Sequence, residues 1–546
     1  MIHNAIQKRM ALFFLYICQK TDRLMKRIYA LLLLAIAPAM HSQNMTLDTT
    51  FGIDGKISTL FPPSYGGETS SHSSARDVLI QNDGKIVTAG TRSAGSGTEF
   101  GLARFSANGI IDPTFGTNGM VTTDFINPPY TISSNYDAVN AISLQTDGKI
   151  IAVGNTTNYA LYNTLDVALA RYNTNGSLDT SFGVGGKVFT DFDGRADSAM
   201  DVAIQPDGKI VIVGKTGFVN YSSNPAISSN NANFIIARYD TNGTLDNTFG
   251  TSGKVILPFG LTTVGDFGKS LVILSNGKLL IGGLSGLNFA LARLNANGTL
   301  DTTFGTNGKV LTDFNTFGSN LVSFIDMTVQ EDGKILAAGS KYTSYDAGDG
   351  FALVRYNADG SLDTDFATGG FAYTEFNYQD DVINKILIQS DSKILAVGYG
   401  AGTLAFARFD TNGMPDSTFG YSHTGKETVY PNYGAASAIM QGDKVVTTSA
   451  YGSNMTLARY NISDFLKVSE NTSNDFQIFP NPVKTDYLQV SKLTSGNYRV
   501  VNLLGQEVSK GDFSNGRIPV ANVKTGTYVI EISSEDQKTV KRFIRQ

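Results

Sequence analysis

The amino-acid sequence predicts an all-β protein, in which a seven-bladed β-propeller of four-stranded blades is followed by a small C-terminal β-sandwich. Three observations predict the propeller: three sequence blocks each occur seven times in a fixed order, the segments between them read as short strands, and the two ends of the array complement each other. The 546 residues include 57 Gly and 14 Pro, a balance that suits many tight turns between short strands.

Each repeat contains the same three blocks. The first, L-D-x-x-F-G, carries a phenylalanine at Phe51, Phe115, Phe182, Phe249, Phe304, Phe366 and Phe419. The second, Q-x-D-G-K-I, occurs at 83–86, 147–150, 207–210 and 332–335, and in degenerate form at 276–278, 391–393 and 442–444. The third, A-L-A-R-Y-N, carries an arginine at Arg104, Arg171, Arg238, Arg293, Arg355, Arg408 and Arg459. Seven occurrences in an unchanged order identify seven units of one repeat.

Four short strands are predicted in each unit. In one example they cover 186–190, 201–204, 209–214 and 234–239. Asp-Gly and Asn-Gly turns join such strands, which is the pattern of antiparallel hairpins. The region shows no sustained helical period. Seven four-stranded units predict a propeller, in which radial repetition leaves only short, protected strand edges.

The two ends of the array predict how the ring closes. The array begins with an isolated L-D-T-T-F-G-I-D-G-K-I-S segment at 47–58 and ends on the third strand of the last unit at 457–461. The last unit therefore lacks its fourth strand, and the N-terminal segment is a spare one. Pairing the two would complete the last blade and remove both open edges.

The three blocks resemble the delta-60 repeat, a bacterial propeller-type repeat. The resemblance covers roughly residues 46 to 461 and is specific because it recurs seven times. It implies the propeller fold and brings no defined catalytic site.

Residues 25–42 are predicted to be a signal peptide. Lys26 and Arg27 precede an apolar core at 28–37, and small and polar residues follow, with cleavage after Ala39 or Ser42. The apolar core is too short to cross a bilayer as a permanent helix. Residues 1–24 are interpreted as an over-called N-terminal extension, and the propeller is expected to occupy 43–461.

After the propeller, 462–475 is predicted to be a polar linker and 476–546 a small β domain. The domain resembles the C-terminal sorting domain of the type IX secretion system of Bacteroidetes. The matching residues include Pro480, Asn481, Pro482, Gly496, Tyr498, Gly505, Gly526 and Tyr528. The resemblance implies passage through the periplasm and across the outer membrane, recognition by the type IX secretion machinery, and release or attachment at the outer-membrane cell surface.

Composition excludes several classes of function. The only cysteine, Cys18, lies upstream of the predicted mature start, which excludes a disulfide scaffold and a thiolate nucleophile. His72 is predicted before a first strand and His423 before a fourth strand, on opposite faces of a blade, so they cannot form a catalytic pair. The formal net charge is −5, and 1–43 carry six Lys/Arg and one acid, so the mature chain carries −5 − 5 = −10. That charge excludes binding to a nucleic-acid backbone.

Two charged residues recur in every repeat, and both are expected to be structural. The aspartates of the first block follow an Asn-Gly turn and loosely resemble a calcium loop, but we expect them to cap backbone amides, with calcium as the alternative. No other cofactor is expected. The arginine of the third block is expected to make a repeated structural pairing, with this aspartate as a candidate partner. The aspartates are Asp48, Asp112, Asp179, Asp246, Asp301, Asp363 and Asp416.

The loops that differ between repeats are predicted to share one face of the propeller. Variable loops on a rigid scaffold are where binding usually resides, and tyrosine is concentrated in these loops. We take eight tyrosines as candidate binding residues, with loop packing as the alternative role. They are Tyr65, Tyr130, Tyr159, Tyr221, Tyr342, Tyr345, Tyr399 and Tyr433.

The expected function is that of a non-enzymatic binding or adhesion protein that is exported and then displayed or released, with a glycan or a protein as its ligand. One alternative is a polysaccharide-active enzyme that uses carboxylates on the variable face. Another is a structural component of the cell surface, which predicts self-association.

Overall fold

The structure is a computed structural model. It describes residues 45–62, 72–94, 97–125, 136–158, 164–217, 232–260, 265–314, 322–342, 349–376, 381–420, 423–429, 434–449, 454–462, 478–491, 493–502, 507–534 and 537–546. The residues up to Ile462 form one compact unit and those after it a second. Within these ranges we find no helix of the length and apolar character needed to span a membrane. The predicted extension and signal peptide at 1–42 lie outside the described residues, as does the linker from 463 onward.

The first unit is the predicted seven-bladed propeller, and six of its blades are four-stranded antiparallel sheets whose strands follow chain order. Blade 1 contains β3 (Ser73–Ile80), β4 (Ile86–Ala94), β5 (Gly97–Phe105) and β6 (Met120–Thr123). Blade 2 contains β7 (Ala138–Leu144), β8 (Ile150–Asn158), β9 (Thr164–Tyr172) and β10 (Lys187–Thr190). Blade 3 contains β11 (Asp197–Ile204), β12 (Ile210–Thr216), β13 (Asn233–Tyr239) and β14 (Lys254–Leu257).

The remaining blades repeat this order. Blade 4 contains β15 (Asp266–Ile273), β16 (Leu279–Ser285), β17 (Asn288–Leu294) and β18 (Lys309–Thr312). Blade 5 contains β19 (Val322–Val329), β20 (Ile335–Tyr342), β21 (Asp349–Tyr356) and β22 (Phe371–Thr374). Blade 6 contains β23 (Val382–Ile388), β24 (Ile394–Gly400), β25 (Thr403–Phe409) and β26 (Lys426–Val429). Blade 7 contains β27 (Ala435–Gln441), β28 (Lys444–Ser449) and β29 (Met455–Asn461), together with β1 (Thr46–Leu47) and β2 (Lys56–Thr59) from the N-terminal end.

The N-terminal segment completes blade 7, as the sequence predicts. Strand β2 pairs with β29, with Ile57 opposite Leu457, and so takes the place of a fourth strand. Strand β1 adds two further pairs to the same strand, Thr46 with Asn461 and Leu47 with Tyr460. The last blade therefore has no unpaired outer edge at β29, and the ring is closed by hydrogen bonds between its two ends.

The first strand of each blade lies innermost, where it contacts the first strands of the blades on both sides. Each of these seven strands carries a β-bulge at the same position, for example between Ala75 and Asp77 in blade 1. In six blades a glycine of the second strand faces the bulge, and a Cβ on Gly90 or Gly214 would overlap the opposing backbone carbonyl. In those six blades the bulge leaves no room for a side chain opposite it, and in all seven blades the bulge re-aims the side chains that follow it.

The core is apolar and lies between neighbouring blades. Each cluster joins side chains from two adjacent sheets, as where Phe125 and Phe115 of blade 1 pack with Val139 and Ala170 of blade 2. The seven phenylalanines of the first block are fully buried in these clusters. One repeat alone would not bury its apolar faces, because each cluster needs two adjacent blades. Neighbouring blades therefore stabilise one another.

The second unit is a single seven-stranded sheet in the order β30-β31-β34-β33-β32-β35-β36. Its strands are β30 (Ile478–Phe479), β31 (Tyr487–Val490), β32 (Ser495–Asn502), β33 (Glu507–Ser514), β34 (Arg517–Pro519), β35 (Gly526–Ser534) and β36 (Gln537–Arg545). Val483, just after β30, bridges Arg545 in parallel fashion, so the sheet curls until its two edges meet. Where two packed sheets are expected from sequence, one curved sheet encloses the core.

Candidate functional site

The antiparallel order of the strands divides the connections of the propeller between two faces. Turns from first to second strand and from third to fourth strand share one face, which we call the fixed-turn face because its sequence repeats. Connections from second to third strand, and from one blade to the next, share the other face, which we call the variable-loop face. His72 precedes β3 on the variable-loop face and His423 precedes β26 on the fixed-turn face, as predicted.

On the fixed-turn face, the recurring aspartate and arginine form the same ion pair in all seven blades. The distance from Arg Nε to Asp Oδ2 lies between 2.6 Å in Arg293–Asp301 and 2.9 Å in Arg104–Asp112. The remaining pairs are Arg171–Asp179, Arg238–Asp246, Arg355–Asp363, Arg408–Asp416 and Arg459–Asp48. The predicted structural pairing is confirmed for every copy.

The lysine of the second block and the phenylalanine of the first complete this group. In blade 3, Lys209 Nζ lies 2.6 Å from Asp246 Oδ2, and the guanidinium of Arg238 lies 4.8 Å from the centre of the Phe249 ring. Thr248 donates a further hydrogen bond to Asp246. Burial alone would raise the pKa of Asp246, but the hydrogen bonds from Lys209 and Thr248 and the charge of Arg238 hold it well below its ordinary value. Each carboxylate is thus ionised between two cations.

The same arginine also joins neighbouring blades. Arg355 Nη1 donates to the carbonyl of Thr411 in blade 6 at 2.6 Å, and Arg293 donates to the carbonyl of Ala358 in blade 5 at 2.6 Å. The glycine after the buried phenylalanine adds a backbone bond, such as Gly183 N–H to the carbonyl of Asn242 at 2.8 Å. The repeated blocks therefore hold both the blade and its contact with the next blade.

Around the central axis, polar side chains at the bulges link the inner strands. Asp77, Asp201 and Asp326 follow the bulges of blades 1, 3 and 5, and each accepts a backbone N–H from the next blade, at 2.9 Å from Ile142, 2.8 Å from Leu271 and 2.9 Å from Ile386. Asn140 and Asn384 occupy the bulges of blades 2 and 6 and donate to the carbonyls of Ala199 and Ala435. Sequence analysis does not identify this ring, because the bulge residues differ from blade to blade.

Charge in this ring is partly balanced. Lys385 Nζ lies 3.2 Å from Asp326 Oδ1, and the charge of Asp326, opposed by burial and reinforced by Asp77 and Asp201, raises the pKa of Lys385. Burial raises the pKa of Asp201 to about 7. The bulge residue Lys269 of blade 4 has its pKa lowered to about 8 by burial and by the charges of Lys215 and Arg76.

At the variable-loop face, a second set of aspartates holds the connections between blades. Each lies at the start of a first strand and accepts the N–H of a phenylalanine that follows the previous blade: Asp137 from Phe125 at 2.8 Å and Asp266 from Phe259 at 2.7 Å, with Asp197–Phe192 and Asp381–Phe376 as the other pairs. Burial raises the pKa of Asp137 to about 7 and that of Asp197 to about 8. The recurring T-D-F that ends several repeats could have indicated this contact.

Most of the predicted binding tyrosines lie outside the described residues, namely Tyr65, Tyr130, Tyr159, Tyr221, Tyr345 and Tyr433. Of Tyr342 the structure describes the backbone, at the end of β20 on the variable-loop face. Tyr399, near the end of β24, is half-buried, and its ring lies so close to Gly434 that a Cβ on this glycine would come within 2.8 Å of the ring. Tyr399 therefore packs against the neighbouring blade.

Two open clefts of about 700 Å³ and 680 Å³ lie between blades 1 and 2 and between blades 4 and 5. Equivalent residues line both, such as Thr117 and Ser177 in one and Thr306 and Ser361 in the other. Both clefts run along the fourth strand of a blade from the fixed-turn face towards the variable-loop face, where Arg92 lines one and Phe259 the other.

In the second unit, Tyr498 and Tyr528 of the predicted sorting residues are buried in the core, Pro480, Asn481 and Pro482 are exposed, and Gly505 lies outside the described residues. Asn481, between Pro480 and Pro482, accepts the N–H of Ile544 at 2.9 Å and so holds the C-terminal strand. Tyr528 stacks on Phe543 with ring centres 5.7 Å apart, and the Tyr498 hydroxyl lies 3.3 Å from that of Ser509. A Cβ on Gly496 would collide with Phe513 and the backbone of Ser533, and Gly526 opens β35.

Comparisons with known proteins give two family matches and several distant structures. A search of the curated proteins found no match. Among solved structures, a protein of unknown function from Dyadobacter fermentans is 9% identical with a TM-score of 0.37, over 75% of this chain and 100% of the other. Prolyl oligopeptidase B from Galerina marginata is 11% identical with a TM-score of 0.38, over 84% of this chain and 55% of the other. PorZ, a surface component of the type IX secretion system of Porphyromonas gingivalis, is 9% identical with a TM-score of 0.20, over 92% of this chain and 86% of the other. At these values the likenesses carry no argument about function.

The family matches agree with the two units. Residues 81–115, 145–182, 205–249, 274–304, 330–366 and 389–419 match the family described as "Domain of unknown function (DUF5122) beta-propeller". Residues 477–546 match the family described as "Secretion system C-terminal sorting domain". The chain is therefore an exported β-propeller protein of DUF5122 repeats that ends in a type IX secretion sorting domain.

Proposed function

We propose that this protein is a non-enzymatic binding protein, displayed on the cell surface or released, and that its variable-loop face takes a glycan or protein ligand. The observation that carries the proposal is the contrast between the two faces. On the fixed-turn face one Asp-Arg-Lys group recurs in all seven blades, as at Asp48, Arg459 and Lys444. On the variable-loop face the connections differ in length and sequence from blade to blade. A rigid scaffold that presents unlike loops is the usual arrangement of a recognition surface.

The place at which the chain leaves the propeller also supports ligand binding at the variable-loop face. Strand β29 ends at Asn461, next to the start of β1, so both ends of the propeller lie at the fixed-turn face. The C-terminal sorting domain is joined to the propeller at that end. A chain that is held through the segment after Ile462 is therefore held at the fixed-turn face and not at the variable-loop face.

The chemistry of the described acids supports a role other than catalysis. The buried aspartates of the variable-loop face and the inner ring accept backbone N–H groups, as Asp266 does from Phe259 and Asp77 from Ile142. Such acids hold the backbone and are poorly placed to transfer protons to a ligand. The two described histidines lie on opposite faces and cannot act together.

The proposal is tested by screening the mature chain, residues 43–546, against glycan and matrix-protein arrays. The test variant carries Tyr221→Ala, Tyr342→Ala and Tyr345→Ala on the variable-loop face. A matched control carries Ile53→Ser and Val184→Ser, which are 76% and 84% exposed on the fixed-turn face. We expect at least a tenfold loss of binding in the test variant and none in the control.

Two results would contradict the proposal. Equal loss of binding in the control would place the ligand on the fixed-turn face. No binding by the wild type, together with concentration-dependent self-association in sedimentation velocity, would favour a structural component of the cell surface.

A further inference from the structure

The bulges of the seven inner strands place one extra residue from each blade around the central axis. The extra residue has no direct partner on the second strand of its blade. We call these seven residues the bulge ring. Two of them are cations, Arg76 in blade 1 and Lys269 in blade 4, and none is acidic. The other members are Asn140, Met200, Ile325, Asn384 and Ala436.

Arg76 opens onto the central channel. Its strand β3 is the innermost strand of blade 1 and contacts β27 on one side and β7 on the other, yet the Arg76 side chain is exposed. An exposed side chain in the middle of such a strand reaches water through the channel. Because the inner strands run from the variable-loop face to the fixed-turn face, Arg76 lies nearer the variable-loop face than Asp77, which follows it.

Lys269 lies three blades further round the channel and is partly buried. Burial, and then the positive charges of Lys215 and Arg76, lower the pKa of Lys269 to about 8, and no acid opposes this decrease. Lys215 lies at the variable-loop end of β12, where its Nζ is 5.4 Å from the centre of the Phe267 ring of blade 4. Positive charge from three blades therefore meets at this end of the channel.

Within the described ranges, the side chains of Arg76 and Lys269 form no ion pair and no hydrogen bond. The acids one residue further along the inner strands are engaged elsewhere. Asp326 lies 3.2 Å from Lys385, and the charges of Asp77 and Asp201 also act on that lysine. A partly buried ammonium without a counter-ion, with a second cation across the channel, is costly. This arrangement indicates a negative partner from outside the described chain.

We propose that the bulge ring binds one oxyanion group, a carboxylate or a sulfate, between Arg76 and Lys269 in the central channel. A guanidinium donates two parallel N–H bonds to such a group, and an ammonium adds a point charge. A narrow space lined by charge of one sign also concentrates ions of the other sign. Inorganic anions and acidic sugars both carry an oxyanion group. The site is independent of the proposed function, because the bulge ring lies on the inner strands and not in the variable loops.

The experiment measures the melting temperature of the mature full-length chain, residues 43–546, while sodium sulfate or sodium galacturonate replaces sodium chloride at constant ionic strength. Galactose, which lacks the carboxylate, is the neutral control. We expect a rise with at least one of the two anions, because a ligand that binds only the folded state stabilises it. Galactose should give no rise. A rise at lower concentrations of galacturonate than of sulfate assigns the site to acidic sugars, and the reverse order assigns it to inorganic anions.

Two variants remove the cations one at a time, which is needed because sulfate also stabilises folded proteins without binding to a site. Arg76→Gln changes an exposed side chain, and Lys269→Met keeps the length of the side chain. Each should raise the anion concentration for half-maximal stabilisation at least tenfold. The matched control is Lys341→Met, since Lys341 Nζ lies 5.6 Å from the ring of Tyr373 on the outermost strand of blade 5. This control should respond to the anions as the wild type does.

A second readout separates loss of the site from loss of the fold. Lys269→Met should raise the melting temperature of the chain in sodium chloride alone, because it removes a partly buried charge that has no described counter-ion. The proposal is overturned if neither anion stabilises the wild type beyond sodium chloride, or if both Arg76→Gln and Lys269→Met respond as the wild type does. An equal rise with galactose would also overturn it, because binding would then not depend on the negative charge.

Discussion

Asp246 shows how much of this fold depends on single side chains. Its carboxylate lies 2.7 Å from Arg238 and 2.6 Å from Lys209, and the Arg238 guanidinium also covers the buried ring of Phe249. Arginine suits this place because its planar group can pair with an acid, stack on an aromatic ring and donate to a neighbouring blade at once. Lysine in place of Arg238 would keep the positive charge but would lose the stacking on Phe249 and one hydrogen-bond donor.

Replacing Asp246 by Asn is expected to destabilise the propeller by roughly 3 kcal/mol, because it leaves the buried Arg238 charge unpaired. Urea or thermal unfolding of the mature chain measures this. The matched control is Asp240→Asn, whose side chain is 45% exposed and also contacts Lys209, at 3.1 Å. That exposed pair should contribute less than about 1 kcal/mol. Equal effects of the two substitutions would contradict the role given to the buried pair.

A pH effect follows from Asp137, whose pKa burial raises to about 7. The unfolded chain loses this proton near the ordinary value of 3.8, so between pH 4 and about 7 the folded state holds more protons than the unfolded state. Stability from this group is therefore fully present below pH 4 and is lost as the pH rises toward 7. Asp137→Asn keeps an oxygen for the Phe125 N–H and should flatten this decline in melting temperature. A profile that stays as steep as that of the wild type would contradict the assignment.

The residues that sequence analysis finds and misses differ in one respect. Asp246 and Arg238 recur in every blade, so their pairing is predictable from their shared period. Asp201 and Asn140 each link an inner strand to the next blade, but they occupy adjacent positions at the bulge, and the residue type at each position changes from blade to blade, so no period reveals them.

At the scale of elements, the ring depends on how β29 is held. It pairs with β28 on one side and with β1 and β2 on the other, so residues far apart in sequence share one sheet. Sequence analysis predicts this closure from the phase of the repeat alone. It does not predict the bulges of the inner strands, because the pattern of apolar residues continues through them.

A disulfide across this closure should stabilise the ring. Ser58 and Thr456 are direct partners, and their hydroxyl oxygens lie 3.3 Å apart. Ser58→Cys with Thr456→Cys should form a bond that closes almost the whole propeller and adds on the order of 4 kcal/mol. The melting temperature with and without reductant measures this, and each single substitution serves as the control. A disulfide that forms without any rise in melting temperature would show that the ring ends do not limit unfolding.

At the scale of the whole molecule, folding and export are assigned to separate units. The core of the second unit is its own, built from residues such as Val500, Ile530 and Phe543. Its one continuous sheet is harder to predict than the propeller, because β31 pairs with β34 and β32 with β35, and these long-range partners leave no repeat in the sequence.

Removing residues 463–546 should therefore leave the propeller folded with an unchanged melting temperature, but should stop its passage across the outer membrane. Cell fractionation measures the second effect, and the truncated chain is expected in the periplasm. Asn481→Ala is a milder variant, which removes the acceptor of the Ile544 N–H and should lower export with the propeller intact. Normal export of the truncated chain would contradict the assignment of sorting to this unit.

The position of β29 also bears on mechanical strength. A pull on the chain beyond Ile462 acts along the axis of β29, which has hydrogen-bonded neighbours on both sides. Because ladder hydrogen bonds lie across the strands, such a load strains many of them together instead of opening them one by one. A cell-bound propeller under fluid drag would therefore resist extraction of β29. Part of the load would be carried by the hydrogen bonds from β1 and β2.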